Sequence, residues 1–509
     1  VPRQALAETE ISRYVRQRDR RDTVALIDLA AHHRTMSLLQ LFHELAYMIH
    51  CSRSARVVSK ITLAGLAVAG ALMLVHCSSK PPVSLVTPLP SPIKQPGLPR
   101  SNEPVRGVWL TTVSRLDWPP VESVTLSDPQ MRIRQQQNAL TAKLDKLKSL
   151  GINTVFFQVK PDGTALWPSK ILPWSDMLTG KIGQDPGYDP LKFMLDEAHK
   201  RGMRVHAWFN PYRVSVNTRP RTVSELNATL SQTPASVFVL HRDWIRTSGD
   251  RFVLDPGIPE VRDWITSIVA EVVEHYPVDG VQFDDYFYTE TPGSTLNDNQ
   301  TYRTYGQGYA SKADWRRHNT QQLIAQVSKA IKQQNPTIEF GVSPAGVWRN
   351  RSHDPAGSDT RGAAAYDESF ADTRSWVQQG LLDYIAPQIY WPFARDAARY
   401  DVLAKWWADV VKPTGTRLYI GIALYKVGEP SKNEPDWMVN GGVPELKKQL
   451  DLNESTPQIQ GTILFRENYL NQPQTQQAVN YLKSRWGDGQ QPVTPAQSAS
   501  VNGVFAGEK

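Results

Sequence analysis

The densest chemistry in the sequence lies at residues 278–288, VDGVQFDDYFY, where two adjacent aspartates, Asp284 and Asp285, end an apolar run among aromatic rings. Hydrolysis of a glycosidic bond needs two carboxyl groups flanking the scissile bond, one to donate a proton and one to act as base or nucleophile. Strand alternation puts Gln282 and Asp284 on one face and Asp285 on the other, unless the strand ends before Asp285. A structural use competes, because one of the pair could cap the next helix or bind a loop backbone. Glu467 is the best distant partner, with an ion pair to Arg466 as its structural alternative. Asp162 is a further acidic candidate. Glu339 begins its own apolar run and so belongs at the opposite end of a strand.

Other chemistries find little support. Six histidines follow His76, at 199, 206, 241, 275, 318 and 353, and none falls in an H-x-x-x-H or comparable cluster. The stretch SPAG at 343–346 does not match the G-x-S-x-G of serine hydrolases. Two cysteines exclude a disulfide framework and a cysteine-rich metal site. No metal and no cofactor are expected. Residues 1–76 carry +4 of the net charge of +7, so the remainder lacks the basic surplus of a nucleic-acid binder.

The elements that must position these residues recur from Arg106 onward. Short runs rich in β-branched and aromatic residues stand at 106–112, 154–160, 204–210, 280–286, 339–344, 384–390, 417–424 and 461–467. Between them lie helical patterns: Leu140, Leu144 and Leu147 before Gly151; Asp189 as N-cap and Pro190 opening a helix with Leu191, Met194, Leu195 and Ala198 on one face. Eight strand–helix units over residues 105–486 predict an α/β fold, a (β/α)8 TIM barrel, with an insertion of roughly Tyr212–Pro256 after the third strand. In such a barrel the site lies at the carboxyl ends of the strands. That places Trp109, Gln158, Lys160, Asp162, His206, Trp208, Asn210, Tyr212, Gln282, Tyr286, Trp348, Arg349, Gln388 and Tyr390 around one mouth as substrate-binding candidates. Aromatic faces with amides and carboxylates suit a glycan. Trp208, Tyr286, Trp348 and Tyr390 are expected to stack on sugar rings.

The leading segment reads as an address. Residues 61–75, ITLAGLAVAGALMLV, form an apolar run too short for a spanning helix of about 20 residues. Arg53, Arg56 and Lys60 precede it, as in a signal peptide over residues 48–76. Leu74 stands three residues before Cys77, the lipobox pattern in which Cys77 is lipidated, although His76 replaces the usual small residue. Ser78 in place of Asp favours the outer membrane. Residues 1–47 fit no export signal and are expected to be absent from the mature protein, with Met48 as the start of the signal peptide. Residues 77–104 are expected to form the lipidated cysteine and a tether, with 8 prolines in the 27 residues after Cys77. At about 3.1 Å per residue such a tether reaches roughly 80 Å. Residues 487–509 read as a disordered tail.

Together the segments RGVWLTT (106–112), NTVFFQVKPDGTALWPS (153–169), HAWFNPYRV (206–214), LDPGIPEVRDWI (254–265), DGVQFDDYFY (279–288), FGVSPAGVWRN (340–350) and DYIAPQIYW (383–391) resemble the glycosyl-hydrolase-like family 10 domain. The resemblance implies an outer-membrane lipoprotein facing the periplasm that cleaves peptidoglycan glycan strands lacking stem peptides at the division site, alongside divisome proteins. It also implies that Asp284 and Asp285 lie in the catalytic centre. The strand-four pattern of family 18 chitinases, D-G-x-D-x-D-x-E, fits at Asp279, Gly280 and Asp284 but fails at Gln282 and Tyr286, so substrate-assisted chemistry does not transfer. The competing class is a glycan-binding lipoprotein without catalysis, which would not need paired aspartates at the cleft. An α-glucan hydrolase is a third class, disfavoured by the leader.

Overall fold

A computed structural model of the protein describes residues 86–93, 97–99, 101–288 and 294–487. The expectations for residues 1–85, including the apolar run and Cys77, and for residues 488–509 lie outside the described residues. Among the described residues no helix is long and apolar enough to cross a membrane.

Eight parallel strands close into a barrel. In chain order they are β1 (Val105–Leu110), β2 (Thr154–Lys160), β3 (Arg204–Phe209), β6 (Gly280–Phe283), β7 (Glu339–Val342), β8 (Tyr384–Ile385), β9 (Arg417–Ala423) and β10 (Ile459–Phe465), with β10 pairing back to β1. The hairpin β4 (Ile245–Ser248) and β5 (Arg251–Leu254) stands outside the barrel, in the insertion after β3. The expected fold is therefore the observed one. The sixth strand is much shorter than its apolar run, because Pro387 cannot donate to the ladder and the chain continues through isolated bridges of Gln388 to Ala345 and Gly421.

The helices start where side chains can cap them. Asp128 accepts from the backbone N–H of Gln130 at 2.8 Å ahead of helix α1 (Pro129–Ser149), and Asp189 accepts from Lys192 at 3.0 Å ahead of α2 (Pro190–Lys200). In both, proline occupies the first helical turn, where its missing N–H is not needed. Gly151, at φ +76°, turns the chain out of α1 toward β2.

Two apolar layers result. The outer one joins the strands to the helices and holds Leu140, Leu144, Ile265, Val327 and their neighbours. The inner one fills the barrel with Trp109, Phe156, Trp208, Tyr384, Tyr419 and Ile463. Strand glycines make room for these rings. A Cβ on Gly421 would stand 2.8 Å from the Trp109 indole, and Gly280 and Gly341 face the rings of His206 and Tyr384 with no space for a methyl group.

The proline-rich segment is not a free tether along its whole length, which corrects the expectation for residues 77–104. Thr87 gives its N–H and hydroxyl to Asp185 at 2.6 and 2.7 Å, and Ile93 N donates to the Glu274 carbonyl at 2.9 Å. Leu98 N donates to Asp279 Oδ1 at 2.7 Å, and Arg204 donates to the Pro99 carbonyl. A chain without its own core is thus strapped to the barrel by backbone hydrogen bonds. Asp279 is the clasp, because its other oxygen also accepts from Val205 N at 2.7 Å and contacts His199 Nε2 at 2.9 Å. Replacing Asp279 with Ala should strand these buried donors and lower stability by about 2–4 kcal/mol, read as a fall in the urea midpoint.

Candidate active site

The carboxyl ends of the strands bring Asp284 into the barrel mouth. Strand β6 stops at Phe283, so Asp284 and Asp285 sit on the turn just beyond it. Asp284 is 3% exposed. Trp208 Nε1 donates to its Oδ2 at 3.3 Å, and Tyr286 N donates to its Oδ1 at 3.3 Å. A donor on each oxygen fixes the carboxylate's orientation. Asp285 is half-buried and lies close to Tyr390. The Tyr390 phenol is pushed well above its ordinary range by burial first, then by Tyr425, Asp285 and Tyr286, so it stays a neutral hydroxyl.

Three polar groups around this turn are buried with no partner among the described residues: Gln282 Oε1, Asn210 Nδ2 and the Tyr390 hydroxyl. Buried polar groups of that kind are satisfied by water or by a ligand. Gln282 Nε2 already donates to Ser343 Oγ at 3.0 Å, which sets the amide so that its oxygen is the group left over. Gln388 Nε2 donates to the Ser343 carbonyl at 2.8 Å, so Gln282, Ser343 and Gln388 form one chain across β6, β7 and β8. Tyr286 lies beneath the Arg213 guanidinium, 4.6 Å from its ring centroid. Such a mouth offers a fixed carboxylate, a second carboxylate beside it and hydrogen-bonding groups for hydroxyls. Among the described residues no group of three or more His, Cys, Asp or Glu could hold a metal ion.

Several candidates serve the scaffold instead. Glu467 is buried and paired with Lys143 Nζ of helix α1 at 2.5 Å, while Asn471 donates to its other oxygen. The competing ion pair with Arg466 is absent, since Arg466 reaches Asp117 at 3.4 Å. His206 lies in the barrel interior below the mouth, with Nδ1 3.0 Å from the Tyr384 hydroxyl and Nε2 3.7 Å from Glu339. Burial lowers its pKa to about 3, so it is neutral near pH 7. Tyr212 is 1% exposed in the outer layer and raised by burial. Trp348 is buried there too, donating to Asp372 at 2.9 Å and stacked on Trp406 at 5.7 Å, so its faces are not a sugar platform. Arg349 is neutralised by Asp354 and Asp367 at 3.2 and 3.1 Å.

Others lie at the mouth but are committed to holding it. Gln158 Oε1 accepts from the N–H groups of Thr112 and Val113, and Lys160 Nζ donates to the Asn210 carbonyl at 2.8 Å. Trp109 is floor, packed under the site against Phe465. Sequence reasoning missed Asp117, which accepts from Thr111 N at 2.7 Å and Asn468 N at 2.9 Å and so ties the loop after β1 to the loop after β10. Its only sequence signal was a polar residue in an aromatic-rich loop, which points to no particular partner.

A closed parallel barrel with a held aspartate at its carboxyl mouth defines a class of (β/α)8 proteins in which that mouth is the working end. Family comparison narrows the class. Residues 104–439 match the family described as glycosyl hydrolase-like 10, and the chain belongs to that family. It is 76% identical over 438 residues to glycosyl hydrolase DigH of Escherichia coli strain K12, covering 86% of this chain and 99% of DigH. It is 41% identical over 375 residues to glycosyl hydrolase YngK of Bacillus subtilis strain 168, covering 73% of this chain and 70% of YngK. Among solved structures it is similar to the PgaB (BpsB) glycoside hydrolase domain of Bordetella bronchiseptica, at 15% identity and TM-score 0.44, covering 76% of this chain and 99% of that domain.

Trp348→Ala should lower stability by about 3–5 kcal/mol in a denaturant melt, the effect of emptying a packed indole site, without weakening glycan binding per folded molecule. Glu467→Gln should likewise destabilise the protein, because Lys143 loses its charge partner, while turnover on glycan is kept.

Proposed function

We propose that the protein is a glycoside hydrolase that cleaves peptidoglycan glycan strands stripped of their stem peptides. The observation that carries this reading is the buried Asp284, held by Trp208 and Tyr286 beside Asp285, in a mouth where Gln282 Oε1, Asn210 Nδ2 and the Tyr390 hydroxyl have no partner among the described residues. Membership of a glycosyl hydrolase-like family and the names of its relatives support the reaction type. The chemistry is carboxylate-based: one group protonates the leaving oxygen, and another carboxylate serves the anomeric carbon or its attacking water. Asp284 is assigned the second role, because an N–H donor on each oxygen orients its carboxylate. Gln282, Asn210 and Tyr390 are assigned to sugar hydroxyls and acetamido groups.

The lipobox at Leu74–Cys77 supports anchoring through Cys77 to the outer membrane, with the barrel in the periplasm acting at the division site. Cys77→Ala should abolish incorporation of a fatty-acid analogue; equal labelling of both forms would end the anchor assignment.

The decisive experiment incubates the protein with peptidoglycan, with and without prior amidase treatment, and reads the products by mass spectrometry. Released glycan fragments should appear after amidase treatment. Asp284→Asn keeps the volume but loses the charge, and should lower the cleavage rate by about 100–10,000-fold with the melting temperature preserved. An Asp284→Asn variant with full activity would remove the site. A wild-type protein that binds strands tightly and releases nothing would make this a glycan-binding module.

A further inference from the structure

Most of the rings expected to stack on sugars are committed elsewhere. Trp348 is packed in the outer layer, and Tyr286 carries the Arg213 guanidinium over its ring. Trp208 is only 6% exposed and holds Asp284. The β2 side of the mouth is closed by buried polar groups: Asp162 accepts from the Thr164 hydroxyl at 2.6 Å, and Lys160 donates to the Asn210 carbonyl at 2.8 Å.

The opposite side carries rings. In the closed ring of eight strands β10 stands four places from β6, and β9 four places from β3, so the ends of β9 and β10 face the Asp284 turn and Trp208 across the mouth. Phe465 ends β10, and Tyr425 and Tyr469 lie on the turns that follow β9 and β10. All three are half-buried. The Tyr425 ring centroid is 5.9 Å from that of Tyr390, 6.2 Å from Phe465 and 6.1 Å from Tyr469. Phe465 packs on the inner layer, beside Trp109, and Tyr469 packs on the outer one, whereas Tyr425 belongs to neither. Its contacts are with the other rings of the rim.

This wall is braced from behind. Lys426 Nζ donates to the Tyr390 carbonyl and to Glu434, both at 2.7 Å, which ties the turn after β9 to the chain after β8. The Arg466 guanidinium lies 5.0 Å from the Tyr469 ring centroid, and Tyr469 N donates to the Arg466 carbonyl at 3.1 Å. A ring fixed in this way loses little freedom when a ligand covers it.

We propose that Tyr425 is the sugar-stacking platform of the mouth, flanked by Tyr390 and Tyr469, and that the glycan passes between this wall and the Asp284 turn; the assignment rests on the glycoside hydrolase reading above. The face of an aromatic ring is electron-rich and attracts weakly positive C–H groups. A pyranose whose substituents are equatorial presents an unbroken face of axial C–H groups, which fits such a ring. Its polar edge then meets Gln282 Oε1 and Asn210 Nδ2 on the far side, groups that have no partner among the described residues. Apolar walls with a few placed polar groups are the usual make-up of a small-ligand site.

Binding and turnover on amidase-treated glycan strands test this together. In the Asp284→Asn protein, Tyr425→Ala should weaken co-sedimentation with the strands by about 10–100-fold. In the active protein it should raise KM by a similar factor with kcat kept, because stacking acts on bound substrate and transition state alike. Tyr425→Phe retains the ring and should restore both affinity and KM. Melting temperatures should stay at the wild-type value throughout. Should Tyr425→Ala fail to fold, Tyr425→Leu, which fills the space without a flat face, decides in its place. Unchanged affinity, or a fall in kcat with KM unmoved, overturns the platform and, beside an inactive Asp284→Asn, leaves the hydrolase reading standing. A wild-type protein that binds strands without cleaving them ends the hydrolase reading while the sedimentation arm still decides on Tyr425. One that neither binds nor cleaves overturns both.

Discussion

Everything at the mouth depends on how the barrel interior is filled. Eight parallel strands turn alternate residues inward, and the cavity they enclose must be packed by side chains from all of them. Here large rings answer small residues: Trp109 lies against Gly421, His206 against Gly280 and Tyr384 against Gly341. Without glycine at those positions the rings could not reach the axis. The plug they form leaves polar chemistry only two places, one at each end. At the amino end Glu339 pairs with Arg417 and lies near the neutral His206. At the carboxyl end the topmost ring, Trp208, turns its only polar atom toward Asp284. The packing thereby aims the carboxylate.

The same economy explains why so many polar mouth residues turn out to be structural. A loop at a barrel mouth carries backbone N–H and carbonyl groups that need partners once water is excluded. Gln158 serves the loop after β1, Lys160 serves the loop after β3, and Asp117 joins the loops after β1 and β10. What distinguishes Gln282, Asn210 and Tyr390 is that each keeps a polar atom that no described loop residue uses. Type and strand position cannot separate these two groups, since a glutamine that binds a loop and a glutamine that awaits a ligand look alike in sequence.

The fold was legible in the sequence because its signals are local. Strand-sized apolar runs, the Asp-Pro helix start at 189–190, and glycines after helices each report on a few neighbouring residues, and the order of elements then leaves one common architecture. The aspartate pair was legible for a related reason: its place depends only on where β6 ends. The misplacements of Glu467 and Trp348 involve contacts across long stretches of chain. Glu467 meets Lys143 of α1, and Trp348 meets Trp406 across two elements. No spacing rule announces such pairs. The strap was missed because proline density argues against a core, which is correct, but says nothing about docking on another element's core.

Strand β6 shows how one short element serves both ends. Asp279 precedes it and Asp284 follows it, five residues apart, which at about 3.3 Å per residue in a strand separates the two carboxylates by roughly 16 Å. The first is consumed by Leu98, Val205 and His199 and belongs to stability. The second keeps a carboxylate at the mouth, held by Trp208 and Tyr286. The ring plug lies between them, so strap and mouth share a strand but no hydrogen-bonding partner among the named contacts. Loss of the strap contacts can then lower stability without moving Asp284, provided the Trp208 ring stays packed. That ring joins the packed barrel interior to the carboxylate.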